Sequence, residues 1–232
     1  MLRKGQKSLA VGKMQMQLRR TGHYSGLIDA VFGDNTEQSV RAFQSAFGLQ
    51  SDGIVGPVTN SVLDAQTKNA WLVLFLHTSA SPEGRHFTGD QVKSWHMDGR
   101  GWSRPGYSDV IELDGKLSNI WPWGPDPDKI ADWEYTFGVK FNTGFVKNSR
   151  DVCYIGGIEG NDGTKPKDTR TDAQKTTMEL YVRWCMARNP RVIVAGHNQV
   201  QPRACPSFDV PRWCRSIGIP EYNICNWGRL VV

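Results

Sequence analysis

Two histidines and a cysteine are the residues of this chain whose types and placing could hold a metal ion. His77 ends an apolar run in Leu74–Ala80 (LFLHTSA), and His197 ends another in Val194–Phe208 (VAGHNQVQPRACPSF). Cys205 follows the second histidine by eight residues. A histidine at the end of a buried strand can aim its imidazole into a cleft while the backbone holds it in place. Two such nitrogens and one thiolate form the ligand set of a catalytic zinc, whose fourth position stays open for water.

The segments that must position these residues alternate between strand and helix patterns from Trp71 onward. Continuous apolar runs predict buried strands, and Thr–x–x–Gln sequences predict capping boxes at helix starts. The predicted strands are Trp71–His77, Tyr107–Leu113, Val152–Gly157 and Val192–Gly196. Two predicted helices begin at Thr88 and Thr171, and a third spans Asp209–Ile217. Residues 117–145 are predicted to be a long irregular insertion. This mixture predicts an α/β domain over residues 71–232, with a mixed central sheet flanked by helices.

Residues 1–65 carry a different pattern, which predicts a small three-helix, all-α domain. Helical spacing covers Val11–Thr21, Asp34 and Glu37 predict the start of a second helix, and Pro57 predicts the first turn of a third. An internal repeat relates residues 29–36 (DAVFGDNT) to residues 52–59 (DGIVGPVT), which favours a compact pseudo-symmetric bundle. The polar link 64–70 is short, so we expect the two domains to lie close together.

Charge and composition limit the classes of molecule that this chain is expected to bind. The chain has 232 residues, a formal charge of +5 and a pI near 9.0, which favours polyanionic partners. No Lys/Arg run reaches five residues, so we expect no nucleic-acid partner. The N-terminus has no apolar core typical of a signal peptide, and no stretch approaches a membrane span. We therefore expect a cytoplasmic protein without stable membrane association, whose five cysteines are free thiols or metal ligands.

The N-terminal motif is specific. The pattern L-x-x-x-G-x-Y-x-G-x-I-D-x-x-F-G-x-x-T, followed by F-Q and G-L-x-x-D-G-I-V-G-P-x-T, covers Leu18 through Leu63. It closely resembles the peptidoglycan-binding domain appended to wall-degrading enzymes. The resemblance implies binding of bacterial peptidoglycan through a shallow groove near Tyr24, Phe32 and the Asp52–Val55 turn. For Tyr24 we weigh a ligand contact against a place in the core.

A second set of motifs occurs in one order along the α/β part. The residues are His77-Thr-Ser-Ala, Trp95-His96, Gly106-Tyr107, Gly156-Gly157, and Ala195-Gly-His197 with Ala204-Cys205-Pro206. This set resembles the zinc-dependent N-acetylmuramoyl-L-alanine amidases of type 2, especially the small lysozymes of podophages. Animal peptidoglycan-recognition proteins are more distant relatives. The resemblance covers roughly residues 71–218.

The resemblance implies a role for individual residues. It makes His77, His197 and Cys205 the Zn²⁺ ligands and Tyr107 a catalytic residue. Arg203 stands where the podophage enzymes carry a catalytic lysine, and an arginine there can act only as an electrostatic stabiliser because it stays protonated. Two positions depart from the podophage pattern, which has histidines where this chain has Ser108 and Phe141.

The remaining aromatic residues, histidines and cysteines are assigned either a substrate contact or a structural role. Trp121 and Trp123 could contact substrate, with Trp133 beside them, or could pack the insertion. We predict that His23, His86 and His96 have structural roles. The remaining cysteines are expected to be buried (Cys153, Cys185, Cys214) or near a frayed tail (Cys225).

Together these patterns predict a monomeric endolysin, held in the cytoplasm of an infected host until it is released to the cell wall. It would hydrolyse the amide between N-acetylmuramic acid and L-alanine of the stem peptide. One alternative is a non-catalytic peptidoglycan-recognition protein on the same fold, although retention of Cys205 argues against it. A second alternative is a zinc peptidase that cuts within the stem peptide.

Overall fold

The computed structural model describes residues 1–160 and 164–228, so the last four residues of the predicted α/β domain lie outside the described chain. The helices are α1 (Leu9–Arg20), α2 (Asp34–Ala46), α3 (Pro57–Gln66), α4 (Gly89–Met97), α5 (Asp172–Arg188) and α6 (Val210–Ser216). The strands are β1 (Val73–Thr78), β2 (Ser81–Pro82), β3 (Asp109–Ile111), β4 (Leu117–Asn119), β5 (Ser149–Tyr154), β6 (Gly157–Ile158) and β7 (Ile193–Gly196). An N-terminal helical domain therefore precedes an α/β domain, as the sequence predicts. Within the described residues no helix is both long enough and apolar enough to cross a bilayer.

The capping motifs place most helix starts correctly. Thr88 and Thr171 both form complete capping boxes with the glutamines three residues later, and Pro57 occupies the first turn of α3. The start of α2 differs from the prediction, because Gly33 is its N-cap and no side chain caps it. Asp34 instead lies in the first turn, where a carboxylate interacts favourably with the positive end of the helix dipole.

The internal repeat has a structural cause in two buried glutamines. The Gln15 amide donates to Asp29 Oδ1 at 2.8 Å and accepts from the next backbone N–H. The Gln44 amide makes the same pair of bonds with Asp52 and the residue after it. Each copy of the repeat is therefore a turn fixed by a glutamine from the preceding helix. The predicted pseudo-symmetric bundle is confirmed.

The central sheet has the strand order β4-β3-β5-β1-β7. Strands β3, β5, β1 and β7 run parallel, whereas β4 is antiparallel to β3. Strand β4 lies within the region predicted as irregular, so that prediction is wrong for residues 117–119. The short turn at Asp114-Gly115 returns the chain beside β3, where residues 117–119 complete its backbone hydrogen bonds.

The two faces of the sheet pack against different parts of the chain. Side chains alternate along a strand, so Val73, Phe75 and His77 of β1 share one face. Val73 and Phe75 join the core of the N-terminal helices, whereas Leu74 and Leu76 pack with α5 and α6 on the other face. His77 therefore lies on the face that the N-terminal domain covers.

The contact between the two domains is close. A Cβ at Gly12 of α1 would lie 2.4 Å from the Trp227 ring, so only glycine lets the ring approach. A backbone bridge joins Ile28 to Cys225. Cys225 is fully buried there, which corrects the expectation of a frayed tail: the C-terminal segment packs into the seam between the domains. The other three cysteines expected to be buried are buried.

Candidate metal centre

The three predicted metal ligands meet at the carboxyl ends of two adjacent parallel strands. Leu76 of β1 is in register with Gly196 of β7, so His77 and His197 come next to each other. Their ring centroids are 4.7 Å apart. The loop after β7 returns Cys205 to the same place, with its Sγ 3.6 Å from His77 Nδ1. One ligand atom from each residue fits within a 4.8 Å separation.

A carboxylate that the sequence reasoning missed orients His77. Asp151 Oδ1 lies 2.8 Å from His77 Nε2, and the other carboxylate oxygen accepts from the Thr136 hydroxyl at 2.8 Å. Asp151 is fully buried on the neighbouring strand β5, opposite Phe75 in the register. An Nε2–H donated to this carboxylate leaves Nδ1 as the lone-pair nitrogen that faces Cys205. The sequence signal for Asp151 is weak, because this residue follows Ser149 and Arg150 in the polar first half of β5 (SRDVCY).

The other two ligands also have fixed partners. Thr78 N–H donates to Cys205 Sγ at 3.3 Å. The Nε2 of His197 bonds with the Gln201 side-chain oxygen, which leaves Nδ1 as its second nitrogen. Each histidine therefore has one ring nitrogen held by the protein and the other available for a cation, whereas the single sulfur of Cys205 both accepts from Thr78 and faces the histidines.

The electrostatics of the centre favour a positive charge between the ligands. Burial opposes protonation of His77, but the Cys205 thiolate and the hydrogen-bonded Asp151 carboxylate raise the pKa of His77 to about 9. Burial, followed by the charge of His77, lowers the pKa of His197 to about 3. His197 is thus a neutral imidazole near pH 7, as a metal ligand must be.

Tyr107 and Arg203 lie at the cleft beside this centre. The Tyr107 ring centroid is 5.1 Å from that of His77. Burial and the neighbouring cysteines Cys153 and Cys205 raise the pKa of Tyr107 well above its ordinary value of 10.0, so its phenol remains a donor at neutral pH. Arg203 is exposed and lines the cleft together with His197. The structure therefore brings all five predicted metal and catalytic residues together.

His96 holds the backbone that precedes Tyr107. The Gly106 N–H donates to His96 Nδ1 at 3.2 Å, and the His96 ring stacks on Trp102 with an interplanar angle of 6°. Burial, together with the positive charge of Arg100, lowers the pKa of His96 to about 4, so it is a neutral acceptor. The structural role predicted for His96 is therefore to hold the backbone at Gly106, next to Tyr107.

The two positions that depart from the podophage pattern differ in their exposure to solvent. Phe141 is 63% exposed and lines the cleft, where an aromatic face is available to substrate. Ser108 is buried, and within the described chain its hydroxyl has no hydrogen-bond partner. Neither residue supplies the titratable group that a histidine would.

The predicted substrate contacts lie outside this cleft. Trp123 packs edge-on against Trp71, and its indole N–H donates to Asp109 at 2.8 Å. The indole N–H of Trp121 donates to the Trp133 carbonyl at 2.9 Å. These contacts give Trp123 a packing role in the insertion, and a substrate role for either Trp121 or Trp123 stays a prediction.

Tyr24 belongs mainly to the helical domain's interior. It is 7% exposed, and its hydroxyl donates to the Leu27 carbonyl at 2.7 Å. The remaining exposed part lines a shallow depression with His23 and Asn35. The ligand contact predicted for Tyr24 also stays a prediction.

Comparison with known proteins agrees with the motifs. Residues 7–63 match the family described as "Putative peptidoglycan binding domain". The chain is 28% identical over 142 residues to the endolysin of Enterobacteria phage K11, a match that covers 61% of this chain and 84% of that protein. It is 29% identical over 140 residues to the endolysin of Escherichia phage T7, covering 60% and 83%. These matches confirm the predicted likeness to peptidoglycan-binding domains in the N-terminal part of the chain and to phage endolysins.

One solved structure that aligns with this chain is the N-acetylmuramoyl-L-alanine amidase LysC from Clostridium intestinale. It aligns with a TM-score of 0.48 at 16% identity, covering 64% of this chain and 85% of that chain.

Proposed function

We propose that this chain is a two-domain endolysin, a peptidoglycan hydrolase in which residues 1–65 bind the cell wall and residues 71–232 cleave it. The observation that carries the proposal is the meeting of His77, His197 and Cys205 at one point, beside a cleft that His197 and Tyr107 line. A recognition protein that only binds peptidoglycan has no need of a thiolate at such a centre. The likeness to phage endolysins supports the hydrolase assignment.

Zinc is the cofactor that fits the donor set. Two imidazole nitrogens and one thiolate sulfur are ligands that zinc prefers, and three protein ligands are typical of a catalytic site with an open position. The contact between Asp151 and His77 is the carboxylate–histidine arrangement that fixes ligand tautomers at zinc sites. Hard cations such as Ca²⁺ and Mg²⁺ prefer oxygen ligands and fit this donor set poorly.

The reaction we propose is hydrolysis of the amide that joins N-acetylmuramic acid to L-alanine. Zinc, when bound, would lower the pKa of a bound water to about 7 and polarise the scissile carbonyl. The Tyr107 phenol is positioned to donate a hydrogen bond to the carbonyl oxygen as negative charge develops there. Arg203 adds a fixed positive charge at the cleft wall and cannot serve as a base. The tautomer set by Asp151 keeps His77 Nδ1 aimed into the centre.

The choice of this bond over others rests on the motifs shared with type 2 amidases. A zinc peptidase that cuts within the stem peptide would use the same metal chemistry. A glycosidase would need two carboxylates that flank the scissile bond, whereas no Asp or Glu lines the cleft among the described residues. We further propose that the protein is a monomer that reaches the wall from the host cytoplasm.

A digest of purified muropeptides tests the reaction. We expect zinc-loaded protein to release stem peptides with a free L-alanine amino terminus, identified by mass spectrometry. A Cys205→Ser variant should lose zinc and at least about a thousandfold of this activity, because hydrolysis depends on the metal. Intact muropeptides together with tight wall binding would favour the recognition protein, and cuts between amino acids would favour the peptidase.

A further inference from the structure

The cleft at the metal centre continues toward the N-terminal domain. Lys140, Gln201 and Arg203 line both the cleft, of about 580 Å³, and a second cavity of about 840 Å³. The second cavity is also lined by residues between Lys7 and Lys13, a segment that includes the first turn of α1. Because the two cavities share three residues, they form one trough, which we call the basic groove.

The charged side chains that line the basic groove are all positive. Five cationic side chains line it, and among the described residues that line it there is no Asp or Glu: Lys7, Lys13, Arg100, Lys140 and Arg203. The whole chain has 23 acidic residues against 28 basic ones, so this separation is local. A groove lined by one sign of charge concentrates ligands of the opposite sign.

Lys7, which precedes α1, and Lys13, which lies in α1, are placed for a ligand. Lys13 reaches across to the α/β domain, where its Nζ would lie 3.3 Å from a Cβ at Gly144. The carboxylate nearest to it is Asp64, at the 4.0 Å limit of an ion pair. Lys7 is exposed beside it. Two positive charges of the N-terminal domain thus face the same trough as the metal centre.

The groove is held in a fixed shape because the two domains are joined along α1. The Trp227 ring fills the space beside Gly12, and the Arg19 guanidinium donates to the Tyr222 carbonyl. The wall that carries Lys7 and Lys13 therefore cannot move independently of the metal centre. A site that is already formed loses little free energy to ordering when it binds.

We infer that Lys7 and Lys13 bind the carboxylates of the peptide arm of the substrate while its amide bond lies at the metal centre. This inference rests on the proposed function. An extended arm of three to five residues reaches roughly 10–18 Å from the scissile bond, so its carboxylates extend beyond the cleft into the second cavity. The N-terminal domain is then part of the substrate site as well as a wall anchor. Neutral sugars would gain little from five cations.

The test compares two soluble substrates with the zinc-loaded full-length protein. One is an N-acetylmuramoyl-tetrapeptide with free carboxylates, and the other is the same molecule with these groups as carboxamides. The double variant Lys7→Gln/Lys13→Gln is measured beside Lys68→Gln/Lys175→Gln, which removes two exposed lysines outside the groove. Thermal unfolding of every variant checks that the fold is intact. Neither substrate contains phosphate, so a groove used only for phosphate polymers would show no effect.

We expect the Lys7→Gln/Lys13→Gln variant to raise KM for the acidic substrate about three- to tenfold with kcat within about twofold, the size expected for two exposed ion pairs. Its KM for the carboxamide substrate and both constants of the control should stay at wild-type values. An equal loss on both substrates, or no loss on either, would overturn the inference while the proposed function stands. Failure of the wild-type protein to cleave either substrate would overturn the proposed function itself.

Discussion

The contact between Asp151 and His77 gives the sharpest prediction for the metal centre. In an Asp151→Asn variant the amide group keeps the shape of the carboxylate but loses its charge. Asp151 is fully buried, and its second oxygen accepts from Thr136, so no water can replace the lost acceptor. An amide that presents its NH₂ to His77 would also favour the wrong tautomer of the imidazole. Loss of such a partner typically weakens metal binding about 10- to 100-fold, which is about 1.4–2.7 kcal/mol.

Competition against a chromogenic chelator measures the zinc affinity of this variant directly. The matched control is Asp90→Asn, which changes an exposed carboxylate in the first turn of α4 and should leave zinc affinity unchanged. Hydrolysis measured at saturating zinc separates weaker binding from a misplaced ligand. A zinc affinity for Asp151→Asn within twofold of the wild-type value would refute the role we assign to this carboxylate.

Two further predictions concern residues around the cleft and the insertion. An Arg203→Gln variant should lower kcat about 10- to 100-fold with little change in zinc affinity, because it removes a charge near the developing oxyanion. An Arg203→Lys variant keeps the charge and should recover most of the loss. Equal kcat values for the two variants would argue against an electrostatic role. A Trp123→Ala variant should lower the free energy of unfolding by about 2–4 kcal/mol, because the Trp123 ring packs on Trp71 and under the Arg150 guanidinium at 3.5 Å. Urea unfolding measures that loss, and a large rise in KM with unchanged stability would instead support the predicted substrate contact.

Features set by neighbouring residues were predictable from the sequence. The capping boxes at Thr88 and Thr171 depend on residues three positions apart, so the local sequence contains the whole interaction. The repeat in the N-terminal domain was visible because each copy, residues 29–36 and 52–59, is a short continuous segment. The meeting of the two histidines could be predicted because His77 and His197 each end an apolar run, and the ends of adjacent parallel strands meet at one edge of a sheet.

Features set by distant residues were decided only by the tertiary structure. Asp151 lies 74 positions from His77, and only the pairing of β1 with β5 brings them together. The contact of Gly12 with Trp227 joins the two ends of the chain, and it turns a predicted pair of tethered domains into one body. The order of strands and the packing of faces fix these contacts, because side chains far apart in sequence meet only when the buried surfaces are complementary. The sequence by itself therefore determined which residues we propose to carry the chemistry, and the packing decided which residues hold them and which domain lies beside their cleft.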